Sequence, residues 1–399
     1  MKRPDLWLCV FVVAGVLGSP LYNTALVRAQ LIGDAPVGPL GSVAVLCAGL
    51  ALAWRATLRR GHLWADPAAL TWSDFDGRRP AVLSRRLVFG WGARFAVAGY
   101  FFVVAGVLIG FPPGVVGPLA LYVGVAVLAL VMARRRPFPG ESLLPLVPAV
   151  LGVVSDAPLW IFAVAAFVAA AGLAWAPPLA QTAGRATLVH HFRERLVRRT
   201  STAFLDVWAL LPAGRRVPWQ RAFAGRFVVL RYVLVGVLAR RHALGLPVFL
   251  GLAVTAAHAT FPAVTSVWLL GLGAYLALLP FAAPVAQLHR VPGLRRWLDA
   301  SETRLRLTTA LVLTVLGAGW TSVVWLLGVP VTFGSVVAVL VAGYAVVRTV
   351  SRGPLDFSVM GLVLYEGVLI PAGLVRQLAH GPDLLLVGLF VCGFLPPLW

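Results

Sequence analysis

Apolar runs of membrane length, or slightly less, recur along almost the whole chain, and most of the breaks between them are short. In the first part they are Leu6–Val27, Gly38–Trp54, a run ending near Gly110, Val115–Met132, Leu143–Val154 and Leu159–Ala176. In the second part they are Leu244–Thr260, Val264–Ala286, Leu307–Leu327, Thr332–Val347, Val359–Val375 and Leu384–Trp399. About 20 apolar residues cross a hydrocarbon core as a helix, which satisfies its own backbone polar groups where water is absent. The pattern predicts an all-α polytopic membrane protein of about 12 transmembrane helices in two six-helix halves. The halves are residues 1–183 and 244–399, joined by a basic cytoplasmic and interfacial connector at 184–243. Leu6–Val27 is read as a first transmembrane helix rather than a cleaved signal peptide, because no small-x-small site follows it. Leu143–Val154 is the weakest run of the first half, with Pro145 and Pro148 inside it.

The connector is the longest break. Gly184–Arg241 holds twelve arginines against two acids, Glu194 and Asp206. Within it Phe227–Leu238 is apolar but short and contains Arg231, so it reads as an interfacial helix with the arginine snorkelling. Two further polar segments divide the halves at matching places, Arg55–Arg86 and His289–Arg306. Both halves then read as hairpin, basic amphipathic segment, hairpin, short basic loop, hairpin, which suggests an internal duplication.

Charge settles the sidedness expected of this layout. Of the 34 lysines and arginines, Arg28 and Arg376 alone fall in predicted outer loops. With both termini cytoplasmic, that asymmetry supports the twelve-span layout. The chain is 60% hydrophobic and only 12% charged, about half the charged fraction of a soluble protein. Its net charge of +20 therefore speaks for anionic membrane lipids and acidic partner surfaces, not for nucleic acid.

Within Arg55–Arg86 one short helix is marked at both ends. Asp66-Pro67 is a capping acid followed by proline at the first helical position, and Asp76-Gly77 is a turn. Between them Leu70, Trp72 and Phe75 give the helix an apolar face suited to a membrane surface or a partner.

Candidate chemistry is sparse. Lys2 is the only lysine, so no Walker A loop and no lysine Schiff base exists in this chain. Cys9, Cys47 and Cys392 lie in apolar runs with no metal-binding spacing. His190 and His191 precede Glu194, an arrangement that reads as a solvated helix face before a metal site. Glu366, beside Tyr365, lies mid-way along Val359–Val375, and a mid-membrane acid costs about 2–3 kcal/mol. Glu366 and Tyr365 are therefore the substrate-path candidates. Predicted outer loops are all short, so no outer catalytic domain is expected and no catalytic, metal or cofactor residue is assigned.

The Arg55–Arg86 segment resembles that of permease subunits of bacterial ABC exporters from high-GC genomes. The residues that carry the likeness are Asp66-Pro67, Leu70, Trp72, Gly77-Arg78-Arg79-Pro80 and Leu83, with Pro292-Gly-Leu-Arg-Arg-Trp-Leu298 as the counterpart in the second half. Phe75-Asp76 departs from the proline-containing turn of that pattern. The resemblance implies a transport subunit and not an enzyme, with ATP and magnesium on a separate cytoplasmic ATPase. It implies that Asp66, Leu70, Trp72, Phe75, Arg78, Arg79, Arg295, Arg296 and Trp297 face that ATPase. A homodimer is one assembly open to such a subunit. Two other readings stand beside it. A proton- or sodium-coupled secondary transporter needs several buried acids, of which Glu366 alone qualifies. A membrane enzyme acting on a lipid-linked substrate needs clustered acids, and Asp66, Asp74 and Asp76 are the only cluster.

Overall fold

Most of the apolar runs fold as long helices. The computed structural model describes residues 15, 18–33, 40–112, 114–153, 159–175, 178–203, 211–217, 227–291, 293–294, 301–353, 362–365, 368–371, 377 and 379–394. Among these, eight helices are long and apolar enough to cross a membrane: Gly41–Leu58, Arg79–Ile109, Val116–Arg134, Leu159–Thr182, Arg241–Thr260, Ser266–Arg290, Glu302–Leu326 and Phe333–Val350. The architecture is that of a multi-pass helical membrane protein. It divides into two compact units, one of residues 1–192 and 256–264, the other of 193–255 and 265–399.

The first unit contains α1 (Thr24–Leu31), α2 (Leu40–Leu58), α3 (Pro67–Phe75), α4 (Arg79–Ile109), α5 (Val116–Arg134), α6 (Leu146–Leu151), α7 (Leu159–Ala174) and α8 (Leu179–Thr182). The helix α9 (Arg185–Ala203) begins in it. Its core is formed by Leu46, Leu50, Phe95, Leu121, Ala129 and Met132 among others. α4 and α5 run antiparallel, since Tyr122 Oη donates to Phe95 O at 2.7 Å and Trp91 Nε1 donates to Ala126 O at 2.8 Å. α5 and α7 run parallel: Gly117 faces Leu159, and Gly124 faces Ala163 and Ala166.

Parallel neighbours require the chain between them to return along their length. Among the described residues it does so without a helix of membrane length. A 3-10 turn, Glu141–Leu143, is followed by the six residues of α6. Glu141 lies against Arg60 beyond the end of α2, and Gly152 lies against Ala44 and Cys47 near its start. The fifth expected transmembrane helix is thus corrected to a broken return segment. Pro145 and Pro148 explain this, because proline is tolerated at the start of a helix and breaks its interior.

Small residues let α5 and α7 approach closely. A Cβ on Gly124 would stand 3.0 Å from Ala163 O, against a backbone that cannot step aside. Gly124→Val is therefore expected to destabilise the purified protein by about 1–3 kcal/mol, read as a lower melting temperature. Gly172→Val is the control, since nothing lies within 4 Å of a Cβ there. Equal melting temperatures for the two variants would refute the packing argument.

The second unit contains α10 (Val228–Leu238), residues 245–255 of α11 (Gly245–Thr260), α12 (Ser266–Leu278), α13 (Ala283–Arg290), α14 (Glu302–Leu326), α15 (Phe333–Val350) and α16 (Pro382–Gly393). Phe227–Leu238 of the sequence reading is α10. α15 is the centre, with Ala338, Ala342, Ala345 and Val346 fully buried. It starts at a reciprocal cap, Thr332 Oγ1 accepting from Ser335 N while Ser335 Oγ accepts from Thr332 N. α12 runs parallel to it, joined by Ser266–Ser335 at 3.3 Å and Tyr275–Thr349 at 3.0 Å. α14 runs antiparallel, with Gly317 against Val339 and Gly343 against Thr314.

Val359–Val375 departs from expectation. Its described residues are two antiparallel strands, β1 (Leu362–Tyr365) and β2 (Val368–Pro371), with Tyr365 opposite Val368. The eleventh expected helix is corrected accordingly. Valine, isoleucine and tyrosine suit strand pairing, while Gly361, Gly367 and Gly373 weaken a helix through the same run.

A second correction follows in space. α16 runs antiparallel beside α15, Gly381 lying against Thr349 and Gly334 against Cys392. Arg348 Nη2 donates to Asp383 Oδ2 at 3.0 Å. Asp383 and Arg348 therefore share one end of α15, where the sequence placed them on opposite faces of the membrane. The expected cytoplasmic C-terminus rested on the same crossing and loses that support. Cysteines introduced singly at Ser351 and His380, in a background lacking the native cysteines, should be labelled by an impermeant reagent from the same side. Labelling from opposite sides would restore the eleventh crossing.

Candidate functional site

The helix α3 forms where the sequence marks it. Asp66 accepts from Ala68 N at 3.1 Å, Pro67 occupies the first turn, and Gly77 takes a left-handed φ of +62° to end the element. One face is bedded. Leu70 is fully buried with Leu63, Leu83, Ala180, Ala183 and Leu188. The opposite face is bare: Trp72 is 74% exposed and Phe75 is 82% exposed.

Polar contacts lock this bed. Arg79 Nη1 reaches Asp74 Oδ1 at 3.1 Å, and its Nη2 donates to Ala183 O at 2.7 Å. Arg185 Nη2, at the start of α9, donates to Thr71 Oγ1 at 3.0 Å. Ala65 N donates to Leu188 O at 3.3 Å, and His191 Nδ1 donates to Leu63 O at 2.9 Å. Arg86 covers the Trp64 ring at 3.9 Å and donates to Trp64 O at 2.7 Å, and that ring also stacks on Phe192. Two exposed rings thus stand on a short helix fastened along its other side. Arg78 is also exposed, 3.9 Å from Asp76.

In the same unit lies a buried ion pair that the sequence reading missed. Arg60 and Glu141 meet at 2.7 Å, both largely out of solvent. Arg60 also donates to Met132 O and Arg135 O, and Phe138 N donates to Glu141 Oε2. The guanidinium so closes the C-terminal end of α5 and ties it to the end of α2. Arg60 takes a left-handed φ of +49°, a position where helices commonly end on glycine. The one visible signal was Glu141 itself, a lone acid soon after Arg134-Arg135-Arg136.

His62 sits next to this pair and is buried. Burial first, then the charges of Arg60, Arg94 and His191, push its imidazole down from 6.5 to about 4. The fold holds the neutral ring, so the unfolded chain binds more protons between those values. Stability contributed by His62 is complete above pH 6.5 and is lost as pH falls toward 4, by about 3 kcal/mol in all. Melting temperature should fall across that window in the native protein and fall less in His62→Asn. The same slope in both would remove His62 as the cause.

The remaining sequence candidates do not join this site. Arg295, Arg296, Trp297 and Glu366 lie outside the described residues, and Tyr365 belongs to β1. Among the described residues, no three of His, Cys, Asp and Glu gather as a metal site. Comparison with known proteins found no matching protein-family model, no matching curated protein and no matching solved structure.

Proposed function

We propose that this chain is the membrane-spanning permease subunit of an ATP-driven exporter, energised by a separate ATPase that carries ATP and magnesium. In this reading it sits in a bacterial cytoplasmic membrane as two membrane halves, with α3 and the Arg134–Glu141 turn on the cytoplasmic side. The observation that carries it is the exposure of Trp72 and Phe75 on a helix whose opposite face is buried and bonded at several points. Aromatic side chains that cost the monomer nothing to cover are the usual anchors of a protein contact. In this reading nucleotide hydrolysis belongs to another chain, in keeping with a sequence whose one lysine is Lys2. Motion delivered to α3 would pass through Leu70 and Arg79 to α4 and the residues around Ala183, as a rigid-body displacement.

The test is purification of the tagged chain from cross-linked native membranes. A nucleotide-binding ATPase should be recovered with it, and the complex should hydrolyse ATP. Recovery of the chain with no nucleotide-binding partner would overturn the proposal.

A further inference from the structure

A cavity of about 540 Å³ lies in the second unit, among α10, the start of α13 and the stretch 214–217. Four arginines line it: Arg215 and Arg216 from that stretch, Arg231 from α10, and Arg240 just beyond it. They grade from exposed Arg215 and Arg216, through half-buried Arg231, to Arg240 at 2% exposure. Among the described residues, none of the four has a carboxylate within 4 Å.

The frame of the cavity is fixed by bonds that do not need a ligand. Arg240 Nε donates to Pro212 O and its Nη1 donates to Gly236 O, both at 2.9 Å. Arg215 N donates to Ala239 O at 2.8 Å, which clips the stretch to the end of α10. Tyr232 Oη donates to Pro284 O at 3.0 Å, and Gly236 leaves room for the Pro284 ring. On α10, Val228, Arg231 and Val235 share one face, so valines and guanidinium line the cavity side by side.

Three physical facts define the ligand that this cavity fits. A buried guanidinium without a counter-charge is costly, and Arg240 is one among the described residues. Several planar guanidinium forks around one concavity match the oxygens of a phosphate better than those of a single carboxylate. Depth gives the third. α10 is seated through Val229 among Phe281, Val285, Leu305 and Val347, where the apolar bodies of α12 and α14 give way to Arg290, Arg304 and Arg306. That level is the boundary at which headgroup phosphates meet a membrane protein.

We propose that this cavity is a binding site for a phosphate group of the kind an anionic phospholipid headgroup carries. The volume accommodates a phosphate with its glycerol, and the valine wall receives the apolar part that follows. The site is independent of the transport reading, since it uses no residue of α3.

The test uses the purified full-length chain in neutral detergent. It is titrated with mixed micelles of phosphatidic acid, with phosphatidylcholine micelles, and separately with inorganic phosphate, and melting temperature is read. Phosphatidic acid should raise it and phosphatidylcholine should not. Arg231→Gln should weaken that protection about tenfold or more, while Arg136→Gln, an exposed arginine elsewhere, should leave it intact. Arg215→Gln with Arg216→Gln gives a second variant, at exposed positions, should Arg231→Gln fail to fold. Equal protection by inorganic phosphate, lost in the same variants, keeps the phosphate site and assigns it to a free anion. No protection by either, or protection unchanged in the cavity variants, overturns the proposal.

Discussion

Replacing both Trp72 and Phe75 by alanine is expected, on the proposed exporter reading, to yield a chain that melts normally and is recovered without the ATPase that reading requires. Both rings are mostly in solvent, so their removal costs the monomer almost no packing. In a partner's pocket each ring would contribute about 2 kcal/mol, which together is roughly a thousandfold in affinity. The effect is large because α3 is already held in place. Its bed is formed before the partner arrives, so little ordering entropy is lost on contact. The competing idea is that the rings only rest among lipid headgroups, as tryptophan often does. Retention of the ATPase by the double variant in detergent would favour that idea and move the contact to His289–Arg306 or the connector. Leu70→Ala is the complementary variant. It leaves both rings exposed but removes the buried anchor, at about 2–5 kcal/mol if the bed cannot collapse, so it should reduce melting temperature and docking together.

The second large effect belongs to Arg60 and Glu141. Removing one partner of a buried ion pair leaves the other charge in a poorly solvated site, at about 3–5 kcal/mol. Arg60→Met and Glu141→Gln should each lower the melting temperature strongly. The double variant should be less destabilised than the two singles added, because it leaves no orphaned charge. Additive losses would mean that the pair itself contributes nothing and that each residue acts through its other bonds, Arg60 to the carbonyls and Glu141 to Phe138 N. Backbone strain sharpens the comparison. Arg60→Gly relieves the left-handed φ yet loses the guanidinium, so a net loss shows the side chain to be worth more than the strain.

Local chemistry was legible in the sequence, and long-range chemistry was not. Both ends of α3 could be read because a capping acid, a proline and a turn glycine act within a few residues. Eight of the expected spans recur as long apolar helices for the same reason, their hydrophobic length. Leu143–Val154 and Val359–Val375 were misread because apolar content is alike in a helix, a broken segment and a strand. Their prolines and glycines were the signal that should have counted more. Arg60 and Glu141 stand 81 residues apart, and Arg348 and Asp383 stand 35 apart. Nothing short of the folded arrangement of α2, α5, α15 and α16 brings either pair together. The arginine cavity was hidden for a different reason: its residues were visible as charge, but burial of Arg240 depends on Pro212 and Gly236 accepting its bonds.

The bed of α3 also sets an order of manufacture. Leu70 is covered by Ala180, Ala183 and Leu188, and the clasp is finished by Arg185 and His191. A ribosome that has released residue 76 has made the whole helix but, of its bed, only Leu63. More than a hundred further residues, including α4, α5 and α7, must be threaded into the bilayer before the helix has a seat. Chains emerge N-terminus first, so a truncated or stalled product displays Trp72 and Phe75 on an unfastened segment. A partner that recognises the fastened helix would thereby ignore half-built subunits, and assembly would wait for a finished first unit.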